Sequence, residues 1–138
     1  MMMRAHGRAG LARIAEQRIA RVRRFCDLLD DNPRFLRLHE PDLAAVMFAY
    51  LPTGADPRRL DEEELNRANR WIHRRMLEQG RWHLHQFSIT DDIGRVRAGA
   101  TIYPLRFIAN NPRVDESHLV GVLDYVAALG AEYERSTR

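Results

Sequence analysis

Lysine is absent from this chain. All 22 basic residues are arginine, so there is no side-chain amine for a Schiff base, no P-loop lysine and no lysine general base. Cysteine occurs once, at Cys26, which excludes an internal disulfide and a CxxC site and suits a reducing compartment. No apolar run approaches the ~18–20 residues of a membrane span, and MMMRAHGRAG lacks the apolar core of a secretory signal. A Gly-rich phosphate loop is missing too, because Gly94 and Gly99 are too widely spaced and belong to a hairpin. Ser88 and Ser117 lack the strand–turn–helix elbow of a nucleophilic serine. A cytoplasmic, globular protein is the expectation.

What is present fits one domain over residues 1–138, with 45% hydrophobic and 30% charged residues. A chain of this length buries roughly two-thirds of its unfolded surface, enough for a core without staples. The net charge of +3 is uneven: residues 1–37 carry nine Arg against four acids, and residues 38–138 carry thirteen against fifteen. A basic first segment is one mark of nucleic-acid binding. Here Glu16, Asp27, Asp30 and Asp31 interleave with the arginines and aromatics are few, so a solvated helix face or an interdomain surface is the preferred reading.

The pattern predicts a long helix over 9–30, with Leu11, Ile14, Ile19, Val22, Cys26 and Leu29 on one stripe and Arg13, Arg21 and Arg24 off it. Asn32-Pro33 ends it. Two short strands follow, 35–39 and 44–51, around the turn Glu40-Pro41-Asp42. Pro52-Thr53-Gly54 and Pro57 form a loop. Asp61 and Glu64 have the spacing of a capping box, opening a helix whose Leu65, Ala68, Ile72 and Met76 face the core and whose stop is Gly80. Residues 82–89 alternate as a strand, 91–94 turn, and 101–108 form the next strand, broken by Asn110-Asn111-Pro112. Asp115 caps a last helix bearing Leu119, Val122, Leu123, Val126 and Leu129, with Gly130 as its end. The order α-β-β-α-β-β-α indicates an α+β two-layer sandwich, an antiparallel sheet of about four strands with helices on one face.

Few residues in this frame can carry chemistry. His83 and His85 share a strand face, but a zinc site needs further ligands, so two half-exposed strand histidines are preferred. His73, beside Arg74 and Arg75, reads as solvated, His118 as structural, and Cys26 as an inert core thiol. Arg106 differs. In Thr101-Ile-Tyr-Pro-Leu-Arg-Phe-Ile-Ala109 it shares a face with Ile102, Pro104 and Ile108, and a charge there is costly unless an anion meets it. A guanidinium fork matches a carboxylate. Two readings stand together: a Glu or Asp of this chain or an edge position, or an anionic ligand. Pro104, two residues earlier, removes a ladder donor.

The order of motifs resembles a known family. His6-Gly-Arg-Ala-Gly10 opens the long helix, followed by Phe35-Leu-Arg-Leu and Pro41-Asp-Leu-Ala-Ala-Val-Met-Phe-Ala-Tyr50. Leu65-Asn-x-x-Asn69, Gly80, Leu105-Arg106-Phe107, Asn111-Pro112 and the terminal helix complete the series. From about His6 to Gly130 it resembles the C-terminal small domain of the pyridoxal-phosphate (PLP)-dependent group II amino-acid decarboxylases, of the aspartate-aminotransferase fold type. In that family a large domain binds PLP and carries the Schiff-base lysine. Nothing here matches it, and the resemblance implies that the chain is expected to begin near the junction of large and small domains.

The resemblance implies that Arg106 takes the family's position for contacting the substrate α-carboxylate, a role that orients the bond to be broken. It further implies a C-terminal domain or split subunit, inactive alone, that binds no PLP itself and completes the cleft of a separate PLP-bearing chain. No residue of this chain is assigned to catalysis, cofactor or metal. The alternatives are a small non-catalytic module for metabolite binding or oligomerisation and, third, an Arg-rich nucleic-acid binder. Self-association is expected for a small domain with an uncovered apolar surface.

Overall fold

The computed structural model describes residues 2–41, 44–53, 55–56, 59–109, 111 and 113–137, with side chains from Gly7 onward. Asp42, Gly54, Pro57, Asn110 and Pro112, on which turn and loop expectations rest, lie outside the described residues. Three helices, α1 (Met2–Asp30), α2 (Glu62–Gln79) and α3 (Glu116–Ser136), are joined by six short strands. These are β1 (Phe35–Arg37), β2 (Ala45–Tyr50), β3 (His85–Gln86), β4 (Ile89–Thr90), β5 (Thr101–Ile102) and β6 (Leu105–Ile108). An antiparallel sheet runs β1-β2-β6-β3, and β4 and β5 pair as a separate ribbon. The expected α+β class is observed, and the expected order is met in outline, with four short strands rather than two between α2 and α3.

Alternation along the strands makes two cores. Toward the helices, Phe35, Val46, Phe48, Tyr50, Leu105 and Phe107 meet Val22, Phe25, Cys26 and Leu29 of α1 and Val122, Val126 and Leu129 of α3. Phe25 stacks on Phe107 at 4.3 Å and meets Phe48 edge-on at 5.4 Å, geometries that add to simple burial. The α1 stripe is shorter than expected. It runs through Val22, Phe25, Cys26 and Leu29, whereas Ile19 is 42% exposed. On the other face Leu36, Ala49 and Leu51 meet Leu65, Val96 and Ile102.

The expected single strand over 101–108 is two strands in two sheets. Pro104 has no N–H to continue a ladder, so the chain leaves the ribbon at Ile102 and enters the main sheet at Leu105. The backbone groups at this crossing are met by side chains. Asn66 donates to the Thr101 carbonyl at 2.8 Å and accepts from the Tyr103 amide at 3.0 Å, while Gln86 donates to the Tyr103 carbonyl at 3.3 Å. Asn69, fully buried, brackets Tyr50 likewise, accepting from its amide at 2.8 Å and donating to its carbonyl at 3.1 Å. The expected strand over 82–89 is likewise reduced to β3 and the start of β4.

The helix ends follow capping chemistry with two corrections. Asp61 caps α2 by accepting from the Glu63 amide, but Glu64 does not close the box; it accepts from Tyr133 and pairs with Arg67. The reciprocal box forms on α3, where Asp115 accepts from the His118 amide and His118 Nδ1 accepts from the Asp115 amide. Gly130 does not end α3, which continues to Ser136. A Cβ on Gly130 would lie 2.1 Å from Cζ of Tyr50, so this glycine admits the Tyr50 ring against the helix. The Tyr50 hydroxyl donates to Glu134 at 2.6 Å and accepts from Arg34 at 2.6 Å. Burial, then the Glu134 contact, pushes its pKa up to about 12.

The Asp91 carboxylate organises the turn from 91 to 100. It is 4% exposed and accepts from the amides of Arg95, Val96 and Arg97 at 2.8–3.0 Å. Burial opposes ionisation, but the amides of Val96, Arg95 and Arg97 outweigh it and hold the carboxyl below its ordinary range.

Two predictions follow from these contacts. Gly130→Ala forces a methyl into the Tyr50 ring and is expected to cost about 1–3 kcal/mol, read as a lower urea midpoint at unchanged slope; an unchanged midpoint contradicts the packing. Asp91 has a depressed folded pKa, so its stabilisation is complete above the unfolded value of about 3.9 and is lost as pH falls through the folded one. The stability gap between the native chain and Asp91→Asn is therefore widest near neutral pH and narrows below about pH 4. A gap independent of pH in chemical unfolding would refute the ionised cradle.

Candidate functional site

Arg106 lies in the middle of β6, opposite Met47 of β2 on one side and His85 of β3 on the other. Its strand neighbours Leu105 and Phe107 point into the helix-side core, so Arg106 occupies the face turned away from α1 and α3, with Ile108. Ile102, expected on the same face, belongs to the other sheet. The guanidinium stands 4.9 Å from the Phe87 ring centroid, a cation–π distance. Among the described residues no carboxylate pairs with it, and Nε is buried without a hydrogen-bond partner.

Arg37 shows what a satisfied strand arginine looks like in this fold. Also half-buried, on β1, it reaches Asp30 at 3.0 Å and Glu40 at 2.7 Å, and those carboxylates raise its pKa against the opposing effect of burial. Of the two readings the sequence leaves open for Arg106, the described residues supply no intramolecular acid.

A cleft of about 440 Å³ opens beside Arg106. The two-residue β3 pairs only with Leu105 and Arg106, so the edge of β6 beyond them faces the start of α3 across open space. Trp82, Leu119 and Val122 line its apolar side, and Arg106, Arg113 and His118 stand among its polar lining. Among the described residues no Asp or Glu lines it. Trp82 lies against α3 at Gly121, where a Cβ would come within 3.2 Å of the indole Cζ2.

The histidines divide by role. His83 and His85 both line the cleft, ring centroids 4.8 Å apart and edge-to-face; His83 lies outside the strand. No group of three or more metal-ligating side chains occurs among the described residues, so the pair stays an imidazole contact. His73, expected in solvent, is half-buried with Nε2 3.0 Å from the Leu84 carbonyl. Burial lowers its pKa although the carbonyl contact raises it. His118 is structural, as expected, in the α3 cap. Cys26 is a buried thiol whose pKa burial pushes up, consistent with an inert core residue. The sequence reading missed Trp82 and Arg113. Neither residue carries a local motif, and only the fold brings them to Arg106.

The chain has no lysine to form a Schiff base with PLP, and among the described residues no glycine lines the cleft. Among the described residues no helix is long and apolar enough to cross a membrane.

No family model and no curated protein matches the chain. Solved structures do. The chain is similar to the glutamate decarboxylase domain of the diaminobutyrate-pyruvate transaminase and L-2,4-diaminobutyrate decarboxylase from Vibrio parahaemolyticus, with TM-score 0.73 and 24% identity over 95% of this chain and 24% of that one. Mouse CSAD in apo form matches with TM-score 0.79 and 21% identity over 94% of this chain and 26% of that one. Oryza sativa TDC with PLP and tryptamine matches with TM-score 0.74 and 24% identity over 95% and 25% of the respective chains. The chain thus spans about a quarter of each structure it matches. At these identities the likeness is one of fold, and the fold is the one the motif resemblance implies.

Proposed function

We propose that this chain is the C-terminal, substrate-positioning part of a PLP-dependent amino-acid decarboxylase, acting in the cytoplasm with a separate chain that carries the cofactor and its lysine. The observation that supports this most directly is Arg106, a half-buried guanidinium with no carboxylate partner among the described residues, in a chain whose fold matches about a quarter of each of several decarboxylase structures. Arg106 receives the substrate α-carboxylate. An incoming carboxylate replaces the missing partner, and a charged, two-pronged contact of this kind fixes both distance and plane. The bond to be broken is thereby oriented, while the chemistry belongs to the partner chain.

The test is recovery of the tagged chain from its native host, followed by absorbance and mass spectrometry of the complex. The expected result is a lysine-bearing partner with bound PLP and decarboxylase activity. In that complex Arg106→Met raises KM for the amino acid by about tenfold or more, the loss expected for one charged hydrogen-bond pair. A complex with no PLP-bearing chain, or a variant with unchanged KM, refutes the proposal.

A further inference from the structure

We propose that His73 is a pH-sensitive latch on the segment from Trp82 to Phe87: neutral, it holds that segment and its strand β3 against α2, and below neutral pH it releases them. This concerns the free chain and requires neither a cofactor nor a bound substrate, so it stands apart from the decarboxylase reading.

The segment is held by few contacts. β3 is two residues long and pairs only through His85 with Arg106 and Gln86 with Leu105. Leu84 is 3% exposed in the helix-side core. The Gln86 side chain donates to the carbonyls of Asn69 at 3.0 Å and Tyr103 at 3.3 Å. A further tie is His73 of α2, whose Nε2 lies 3.0 Å from the Leu84 carbonyl. A carbonyl only accepts, so Nε2 carries a proton and donates it, and Nδ1 is the atom left to titrate. Leu84, Gln86 and the ladder keep one charge between about pH 5 and pH 8, whereas an imidazole does not. A short edge segment of this kind opens at lower cost than the whole domain unfolds.

The surroundings offer no negative charge to a second proton on His73. His83 and His85 flank Leu84, their rings 4.8 Å apart. Burial is the largest influence against protonating His73, both of these imidazoles add to it, and the Leu84 carbonyl opposes it. On α2 itself Arg74 and Arg75 follow in sequence, and Arg75 is engaged by Glu78 at 3.2 Å and by Glu132 of α3 at 3.4 Å. Arg106 of β6 stands opposite His85. Arg113 and His118 line the same cleft as His83 and His85, and His118 is taken up by Asp115 at 3.0 Å. Among the described residues no carboxylate acts on His73.

The direction of the effect follows. The closed segment holds the His73 imidazole below its ordinary range, and the open segment leaves it in water, near about 6.5. Its contribution to closure is complete above about pH 6.5 and is lost as pH falls from there through the folded value, because in that interval only the open form takes up the proton. Acid thus frees β3 and uncovers the edge of β6 at Arg106.

Hydrogen exchange of the full chain, labelled with nitrogen-15, is followed from about pH 7.5 to about pH 5.5. Rates are expressed as protection factors, which divides out the intrinsic pH dependence of exchange. The amides of His85 and Arg106 are expected to lose protection about threefold or more, while Val46 and Phe107 in the neighbouring β2–β6 ladder stay level. His73→Gln keeps a side-chain N–H for the Leu84 carbonyl but has no charge to gain, and its protection is expected to be level throughout. Replacing His83 and His85 together, by His83→Gln with His85→Gln, shrinks the loss without removing it, since burial is the larger influence. If His73→Gln does not fold, the His73 imidazole titration in the native chain decides. A midpoint below the ordinary imidazole value that tracks the loss of protection supports the latch, and one at or above that value overturns it. Level protection in the native chain, a loss that persists in His73→Gln, or a loss shared equally by Val46 and Phe107 also overturns it.

Discussion

Asn66 and Asn69 stand one turn apart on α2 and hold two places where a β-ladder stops. Pro104 forces the first stop by removing a donor from the strand, and the Asn66 amide meets the backbone of Thr101 and Tyr103 there. Asn69 meets both polar groups of Tyr50, the last residue of β2. A buried polar atom left without a partner costs about 1–3 kcal/mol, and Asn69 satisfies two buried backbone groups at once, while Asn66 meets two that are more exposed. The consequence is geometric. With the crossing fixed, β6 begins at Leu105, its even-numbered side chains turn away from α1 and α3, and Arg106 emerges at the cleft rather than in the helix-side core.

The same register separates two kinds of arginine. Arg37, on the helix side of the sheet, is enclosed by carboxylates that follow it in sequence or come from α1. Arg106, on the other side, faces Met47 and His85 across the sheet and Phe87 above it. The first is paired in the folded state, and the second has no carboxylate partner among the described residues. An unmatched charge on an otherwise ordered strand is tolerated where binding supplies the counter-charge. The composite-site proposal draws on that imbalance.

Much of the architecture was legible in the sequence because its signals are local. Asp61, Gly80 and Asp115 mark helix ends through contacts within one turn, and the stripes of α2 and α3 are pure periodicity. The failures are non-local. Gly130 looks like a stop, yet α3 passes through it because the Tyr50 ring, from a strand 80 residues earlier, needs the space. His73 looks solvated beside two arginines, yet the chain after Gly80 folds back to place the Leu84 carbonyl on it. The Pro104 signal was visible, but its outcome depended on side chains of α2 that no window around Pro104 contains. For the site, Arg106 was identifiable as a charge in an apolar strand. Its lack of a carboxylate partner among the described residues was not, because that depends on where acidic residues far off in the sequence are placed.

The most direct test of this account is nitrogen-15 NMR of the Arg106 side chain in the free protein. The account predicts a slowly exchanging Nε–H, since the atom is buried, and a resonance that stays fixed as the chain's carboxylates titrate toward about pH 4. A resonance that moves with that titration, in the absence of added ligand, would place an acidic side chain on Arg106 and remove the basis for a carboxylate site.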